Sequence, residues 1–359
     1  MAAKAPSTPP RALDLDQTLS SLPTPPPSTL RAHTRKLLQA ASPPPTLVIL
    51  DDDPTGTQTC HGVAVLTAWD AASLAAEFRA TRPGAGFFIL TNSRALHGAA
   101  AAALVAHICA ALRDAAAVAG ARFEVVLRGD STLRGHFPAE PRAVESVLGA
   151  ADAWVLAPFF LQGGRYTIAD VHYVAEGGRL VPAGETPFAR DAAFGYRSSD
   201  LREWVVEKSN GEIGPDRVKS LGLEMIRGGG SKAVCEALMG FDKGSVVIVN
   251  AACEEDVDVV VLGLLEGWFC FQRGDFIEMV WLTRESSCRT RKTFPFPHRC
   301  RIRVCSARNI TNSTDFRFDT ITLTRSWRLD CRWLLCSQNH RATRIPDMWP
   351  RFKTNHHRN

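Results

Sequence analysis

The chain reads as an α/β protein: a mostly parallel, doubly wound, Rossmann-like sheet with a less regular insert, followed by a disordered tail. Two observations predict the sheet. From Thr46 to about Glu266 short apolar runs alternate with longer helix-forming stretches, the spacing of parallel strands joined by helices that cover both faces. Several of these runs end abruptly in glycine-punctuated polar loops, and the carboxyl ends of the strands are where an open α/β sheet binds its ligands. A third observation limits the sheet, because the composition changes at Gly267.

Residues 1–45 carry PSTPP at Pro6 to Pro10, PTPPPS at Pro23 to Ser28 and PPP at Pro43 to Pro45. Such a stretch buries too little apolar surface to offset its ordering entropy, so a flexible lead is expected, with one helix over Leu30 to Ala41. Strands are expected at Thr46 to Asp51, Val63 to Leu66, Phe87 to Thr91, Phe123 to Arg128, Ala153 to Ala157 and Ser245 to Asn250. Helices are expected at Ala71 to Thr81, Ala95 to Ala119, Ala139 to Leu148, Ser231 to Met239 and Glu254 to Glu266, all of helix-forming composition. Tyr173 to Arg227 is less regular, and Val174 to Pro182, interrupted by Gly177 and Gly178, reads as a β-hairpin and lid.

The tail, residues 268–359, holds 16 Arg, 2 Lys and 7 acidic residues, a net of +11 that leaves −6 for the rest of a chain whose total is +5. It has one of the 26 glycines, whereas an ordinary domain has roughly 7% Gly for its turns. It therefore reads as mis-translated or disordered. Two other readings are a nucleic-acid-binding arm, from clustered Arg among aromatics, and a zinc site at Cys300, Cys305, Cys331 and Cys336 with His298 and His340, whose spacing is wide for one. The expected domains are thus 1–45, 46–267 and 268–359. With no secretory signal and no run of about 18 apolar residues, a cytoplasmic protein with reduced thiols and no membrane partner is expected.

Chemistry concentrates at the strand ends. LVILDDDPTGTQT presents Asp51, Asp52 and Asp53 directly after a buried-strand pattern, with Thr55, Gly56 and Thr57 adding hydroxyls and open amides. Three adjacent carboxylates are costly unless a cation, a metal or a polyhydroxylated ligand balances them; a solvated, capping turn is the plainer alternative. FFILTNSR ends in Asn92, Ser93 and Arg94, which could bind a ligand or cap the next helix. FEVVLRGDSTLRGH supplies Arg128, Asp130, Ser131, Thr132, Arg134 and His136, and guanidiniums beside a carboxylate and hydroxyls suit an acidic substrate. Asp130 could act as general base or simply hold an arginine. WVLAPFFLQGGRYT adds Gly163, Gly164 and Arg165, where paired glycines let backbone approach a ligand. GGGSK at Gly228 to Lys232 lacks the phosphate-loop spacing, and no nucleotide motif stands before Gly267.

Together DDDPTGTQT, TNSR, LRGDSTLRGH, APFFLQGGRYT and GETPFARDAAFGYRSSDLREWV resemble the N-terminal domain of the four-carbon acid sugar kinases over about residues 46–266. The resemblance implies an α/β domain that binds the acid sugar and a second domain that binds ATP with Mg²⁺. It also implies phosphoryl transfer to a hydroxyl of a threonate- or erythronate-type acid, and no nucleic-acid partner. Asp53 or Asp130 would then orient or deprotonate the attacking hydroxyl. The remaining substrate contacts would come from Asp51, Asp52, Thr55, Gly56, Thr57, Asn92, Ser93, Arg94, Arg128, Ser131, Thr132, Arg134, Gly163, Gly164 and Arg165, with no resident metal ligand. After GLLEG at Gly263 to Gly267 the family pattern stops. The expectation is a chain truncated before its ATP domain, with a catalytically inactive sugar-acid-binding protein, in which further copies can associate, as the alternative.

Overall fold

A computed structural model describes residues 10–40, 45–60, 62–82, 84–270, 279–282, 300–303 and 320–323. The elements run β1 (Leu13–Asp14), α1 (Leu15–Ser21), α2 (Leu30–Ala40), β2 (Thr46–Asp51), β3 (Val65–Leu66), α3 (Ala71–Ala80), β4 (Gly86–Leu90), α4 (Gly98–Ala119), β5 (Phe123–Arg128), α5 (Ala139–Leu148) and β6 (Ala153–Leu156). They continue with β7 (Arg165–Ile168), β8 (Val171–Glu176), β9 (Arg179–Pro182), α6 (Leu201–Lys208), β10 (Val218–Leu221), α7 (Gly230–Gly240), β11 (Ser245–Val249) and α8 (Glu254–Cys270). Three strands follow, β12 (Met279–Leu282), β13 (Cys300–Arg303) and β14 (Thr320–Leu323).

Eight strands form one sheet in the order β10-β11-β6-β12-β5-β2-β4-β3, and its pairings are parallel. The expected doubly wound architecture is therefore present. Successive residues of β6 and β11 face opposite ways, as pleated strands require. Trp154, Leu156, Val246 and Ile248 join the core under α3, α4, α5 and α6, while Ala153, Val155, Val247 and Val249 join a second core with Val234 of α7 and Val259, Val260 and Leu264 of α8. β12 pairs in parallel with both β5 and β6, so the two halves of the sheet meet through it.

The helices begin and end where their sequences dictate. Asp70 caps α3 by accepting from the Ser73 amide, Asp200 caps α6 through the Arg202 amide, and Gly120 closes α4 in the left-handed region at φ 63°. Among the described residues α4 is the one helix long and apolar enough to cross a membrane; Val105, Ile108, Cys109 and Leu112 on its buried face pack into the core.

A separate antiparallel sheet, β1-β9-β8-β7, joins a strand of the lead to the start of the insert, with β8 and β9 as the hairpin and Gly177 and Gly178 at its turn, both at positive φ. Where it is described, over residues 10–40, the lead packs against the fold. Leu13, Leu15, Leu19 and Leu22 pack on the apolar cluster of this sheet, and the buried Arg227, paired with the buried Asp256 at 2.8 Å, donates from Nη1 to the Pro23 carbonyl at 2.5 Å. α2 also matches the expected helix, and Arg31 on it pairs with Glu254 and Asp258 at 2.8 and 2.7 Å. The composition of the lead hid these few spaced leucines and one arginine among its prolines. The zinc-site and nucleic-acid readings of the tail rest on side chains outside the described residues.

Candidate functional site

Strand order places the site. The chain leaves β2 for β3 and β4 on one side, then crosses to β5 on the other, so the crevice beyond the carboxyl ends of β2, β4 and β5 is the switch point at which such sheets bind ligands. β2 and β5 are in register with Asp51 beside Arg128, which brings the acidic loop and the LRGDSTLRGH loop face to face.

An inner tier of ion pairs results. Asp51 and Arg128 are 1% and 4% exposed and pair at 3.2 Å. Burial pushes the Asp51 carboxyl up to about 7 against the pull of Arg128, and its Oδ2 is buried without a hydrogen-bond partner among the described residues. The side of Gly56 faces this carboxylate so closely that a Cβ there would collide with it, which explains the glycine. Asp52, also buried, accepts two bonds from Arg94, Nε at 2.9 Å and Nη2 at 2.6 Å. Burial raises its carboxyl, with Arg94 and Arg128 opposing. Asp53 is more open: partial burial would raise it, but the Thr55 amide and hydroxyl at 2.9 and 2.6 Å, with Arg94, hold it below the ordinary carboxylate range.

The outer tier is built on Asp130. It accepts from the Thr132 hydroxyl and from Arg134 Nε at 2.6 Å; burial pushes its carboxyl up, but these donors outweigh it and hold it down. Arg134 also reaches Asp191 at 3.7 Å, and its guanidinium lies 5.2 Å from the Phe188 ring centre, with that of Arg165 at 5.3 Å from the same ring. An aromatic face holds a cation without neutralising it.

The insert fixes the LRGDSTLRGH loop by its backbone. Tyr196 donates to the Thr132 carbonyl at 2.8 Å, and the fully buried His172 bonds the Ser131 carbonyl at 2.8 Å through Nε2 and the Thr167 hydroxyl at 3.0 Å through Nδ1. Burial holds the imidazole down at about 4, so at neutral pH it is an uncharged strut. Leu133, buried at φ 69°, is a leucine in the left-handed region at the centre of this loop. Such strain persists where surrounding contacts over-determine it.

Of the sequence-predicted residues, Asp51, Asp52, Asp53, Arg94 and Arg128 meet in the inner tier and Asp130, Thr132, Arg134 and Arg165 in the outer. Ser93 is buried against Thr91, with its carbonyl 3.0 Å from His136 Nε2. Asn92 is exposed in the left-handed region and makes no side-chain cap. The capping alternative for TNSR therefore fails, and α4 starts later, after His97. Thr57 is half-buried in the short turn after Gly56. Gly163 lies against the Phe160 ring and Gly164 turns at φ 69° beside Ala175, so local packing already requires both glycines.

A cavity of about 50 Å³ opens beside the two tiers, lined by Asp52, Asp130, Arg134, His136, Glu140 and Trp204 among others. Sequence reasoning did not single out Glu140, Trp204, Phe188, Asp191 or Tyr196. All except Glu140 lie in GETPFARDAAFGYRSSDLREWV, whose irregularity was the available signal. Among the described residues no group of three or more His, Cys, Asp or Glu could hold a metal ion, and the inner carboxylates are engaged by arginines and by Thr55. These residues do not fit a protein-held Mg²⁺, nor do they include a phosphate-binding glycine loop.

The profile of the family described as the sugar-binding N-terminal domain matches residues 47–273. No curated protein matches the chain. Solved structures that it resembles include a domain of unknown function from Bordetella bronchiseptica, a domain-swapped dimer with bound citrate (23% identity, 66% of this chain and 54% of that one, TM-score 0.48). A Haemophilus influenzae protein matches at 16% identity over 66% and 53%, TM-score 0.44. A protein described as a putative tRNA synthase from Salmonella typhimurium matches at 16% over 63% and 56%, TM-score 0.44. The chain spans about half the length of these structures.

Proposed function

Because the chain belongs to the sugar-binding N-terminal domain family of the four-carbon acid sugar kinases, we propose that its strand-end site binds a threonate- or erythronate-type acid as the acceptor for phosphoryl transfer from ATP. The observation that carries this reading is the outer tier. Arg134 and Arg165 flank Phe188, and Arg134, though paired with Asp130 and Asp191, is 28% exposed, so its guanidinium is held in place with an open side towards which a substrate carboxylate can come. Asp130, kept ionised beside them, orients a substrate hydroxyl; Asp53, also held low but nearer the acidic loop, is the other group able to accept its proton.

Phosphoryl transfer relies on positioning and charge neutralisation around the phosphates. The described residues supply the acceptor side of such a site. ATP and its Mg²⁺ need a nucleotide-binding part that they do not supply, and the reading assigns this chain acid binding without turnover of its own. Preferential binding to the folded state must raise thermal stability. The melting temperature of the full chain should therefore rise with millimolar threonate or erythronate, with no ATP consumed. Unchanged melting with both acids would sink the binding claim, and robust ATP-dependent phosphorylation would sink the assignment of an acceptor half alone.

A further inference from the structure

Two residues on the wall of the cavity beside the ion pairs each carry a buried polar atom that bonds no described residue. Glu140 stands in the first turn of α5 and Trp204 on α6; Glu140 Oε1 and Trp204 Nε1 are both buried without a hydrogen-bond partner among the described residues, and both residues line the same cavity of about 50 Å³. A buried polar group left unsatisfied loses its hydration with nothing in return, so two around one cavity need a reason. The rest of the wall includes apolar Leu127, Leu133, Phe137 and Leu156, which offer neither atom a partner.

The two orphans are complementary. An indole N–H only donates and a carboxylate oxygen accepts, so a hydroxyl placed between them would accept from Trp204 and donate to Glu140. The cavity exceeds what one water needs, and Asp52, Asp130 and Arg134 on its wall join it to the proposed acid site. Burial pushes the Glu140 carboxyl up to about 7, with Ser93 and Arg94 opposing and Asp52 adding to the rise.

We propose that Glu140, with Trp204, is the hydroxyl-reading element of the site: it selects polyhydroxylated acids over deoxy analogues by bonding one hydroxyl of the carbon chain. This inference rests on the sugar-acid reading above, and the test separates the two. Threonate, erythronate and the three dihydroxybutyrates that each lack one hydroxyl are titrated into the full chain and its Glu140→Gln and Trp204→Phe variants, each checked for folding by its melting temperature. The wild type should bind one dihydroxybutyrate about tenfold or more weaker than the parent acid, the range of a hydrogen bond to a charged group. That ratio should fall severalfold in Glu140→Gln, whose amide oxygen still accepts but carries no charge, while affinity for the other analogues falls in parallel with the parent. Trp204→Phe, which keeps the ring and deletes the donor, should lower the same ratio and decides the matter if Glu140→Gln does not fold. A ratio unchanged in a folded variant, as when the cavity holds only water, overturns the assignment and leaves acid binding standing. Failure of every acid to bind the wild type overturns both.

Discussion

Asp51–Arg128 and Asp130–Arg134 are the same chemical pair at strand ends of one sheet, but they sit in different surroundings. The inner pair is 1% and 4% exposed; in the outer pair Arg134 is 28% and Asp130 13% exposed. Burial lifts the Asp51 carboxyl to about 7, whereas the Asp130 carboxyl is held below its ordinary range by Arg134 and Thr132 despite burial. A buried pair is already committed, and removing one charge strands the other. A half-open pair keeps a face for a ligand. The comparison assigns the inner tier to holding the strand ends together and the outer tier to recognition.

The largest effect expected from breaking this contrast is Arg128→Ala. It should destabilise the chain by about 3–5 kcal/mol in urea unfolding, and a loss under about 1 kcal/mol would show that the inner pair is not structural. Gly56→Ala comes next, since the added methyl meets the Asp51 carboxylate; about 1–3 kcal/mol is expected for overpacking. Arg134→Ala should cost less than about 1 kcal/mol of stability, as for other solvent-screened pairs, so a large loss there would erase the distinction between the tiers.

A further effect sharpens the picture through pH. Glu140 keeps its proton to about 7 when folded but loses it near its ordinary value when unfolded, so folding takes up a proton in between. Raising pH from 4.5 to 7 therefore removes stability through this group. Glu140→Gln does not titrate, and its stability relative to wild type should improve over that window in urea unfolding at stepped pH. A difference that stays flat would place Glu140 in water.

Much of this was legible in the sequence, because local signals and tertiary structure agree. Thr46–Asp51 and Phe123–Arg128 are observed at their expected bounds, being apolar runs cut off by polar loops. Ala139–Leu148 is also as expected. What the sequence did not disclose is which carboxylate meets which arginine. Arg94 finds Asp52 across the β4 and β2 ends, and Arg128 finds Asp51 through strand register; both depend on sheet order, which no local pattern encodes. Trp204 and Phe188 come from the insert, where Gly and Pro interrupt periodicity, so neither β10 nor α6 stood out. The lead misleads in the opposite sense: its prolines dominate the composition, while Leu15, Leu19 and Leu22 carry the packing.

The most direct test of the central claim, that the outer tier recognises a sugar acid, is calorimetric titration of threonate and erythronate into the full chain and into Arg134→Ala. The account predicts that at least one acid binds the wild type, and that Arg134→Ala keeps its fold while losing about ten- to a hundredfold in affinity, the value of a charge-assisted contact. Equal affinity in wild type and variant, or binding that vanishes only when the inner Asp51–Arg128 pair is broken, would contradict it.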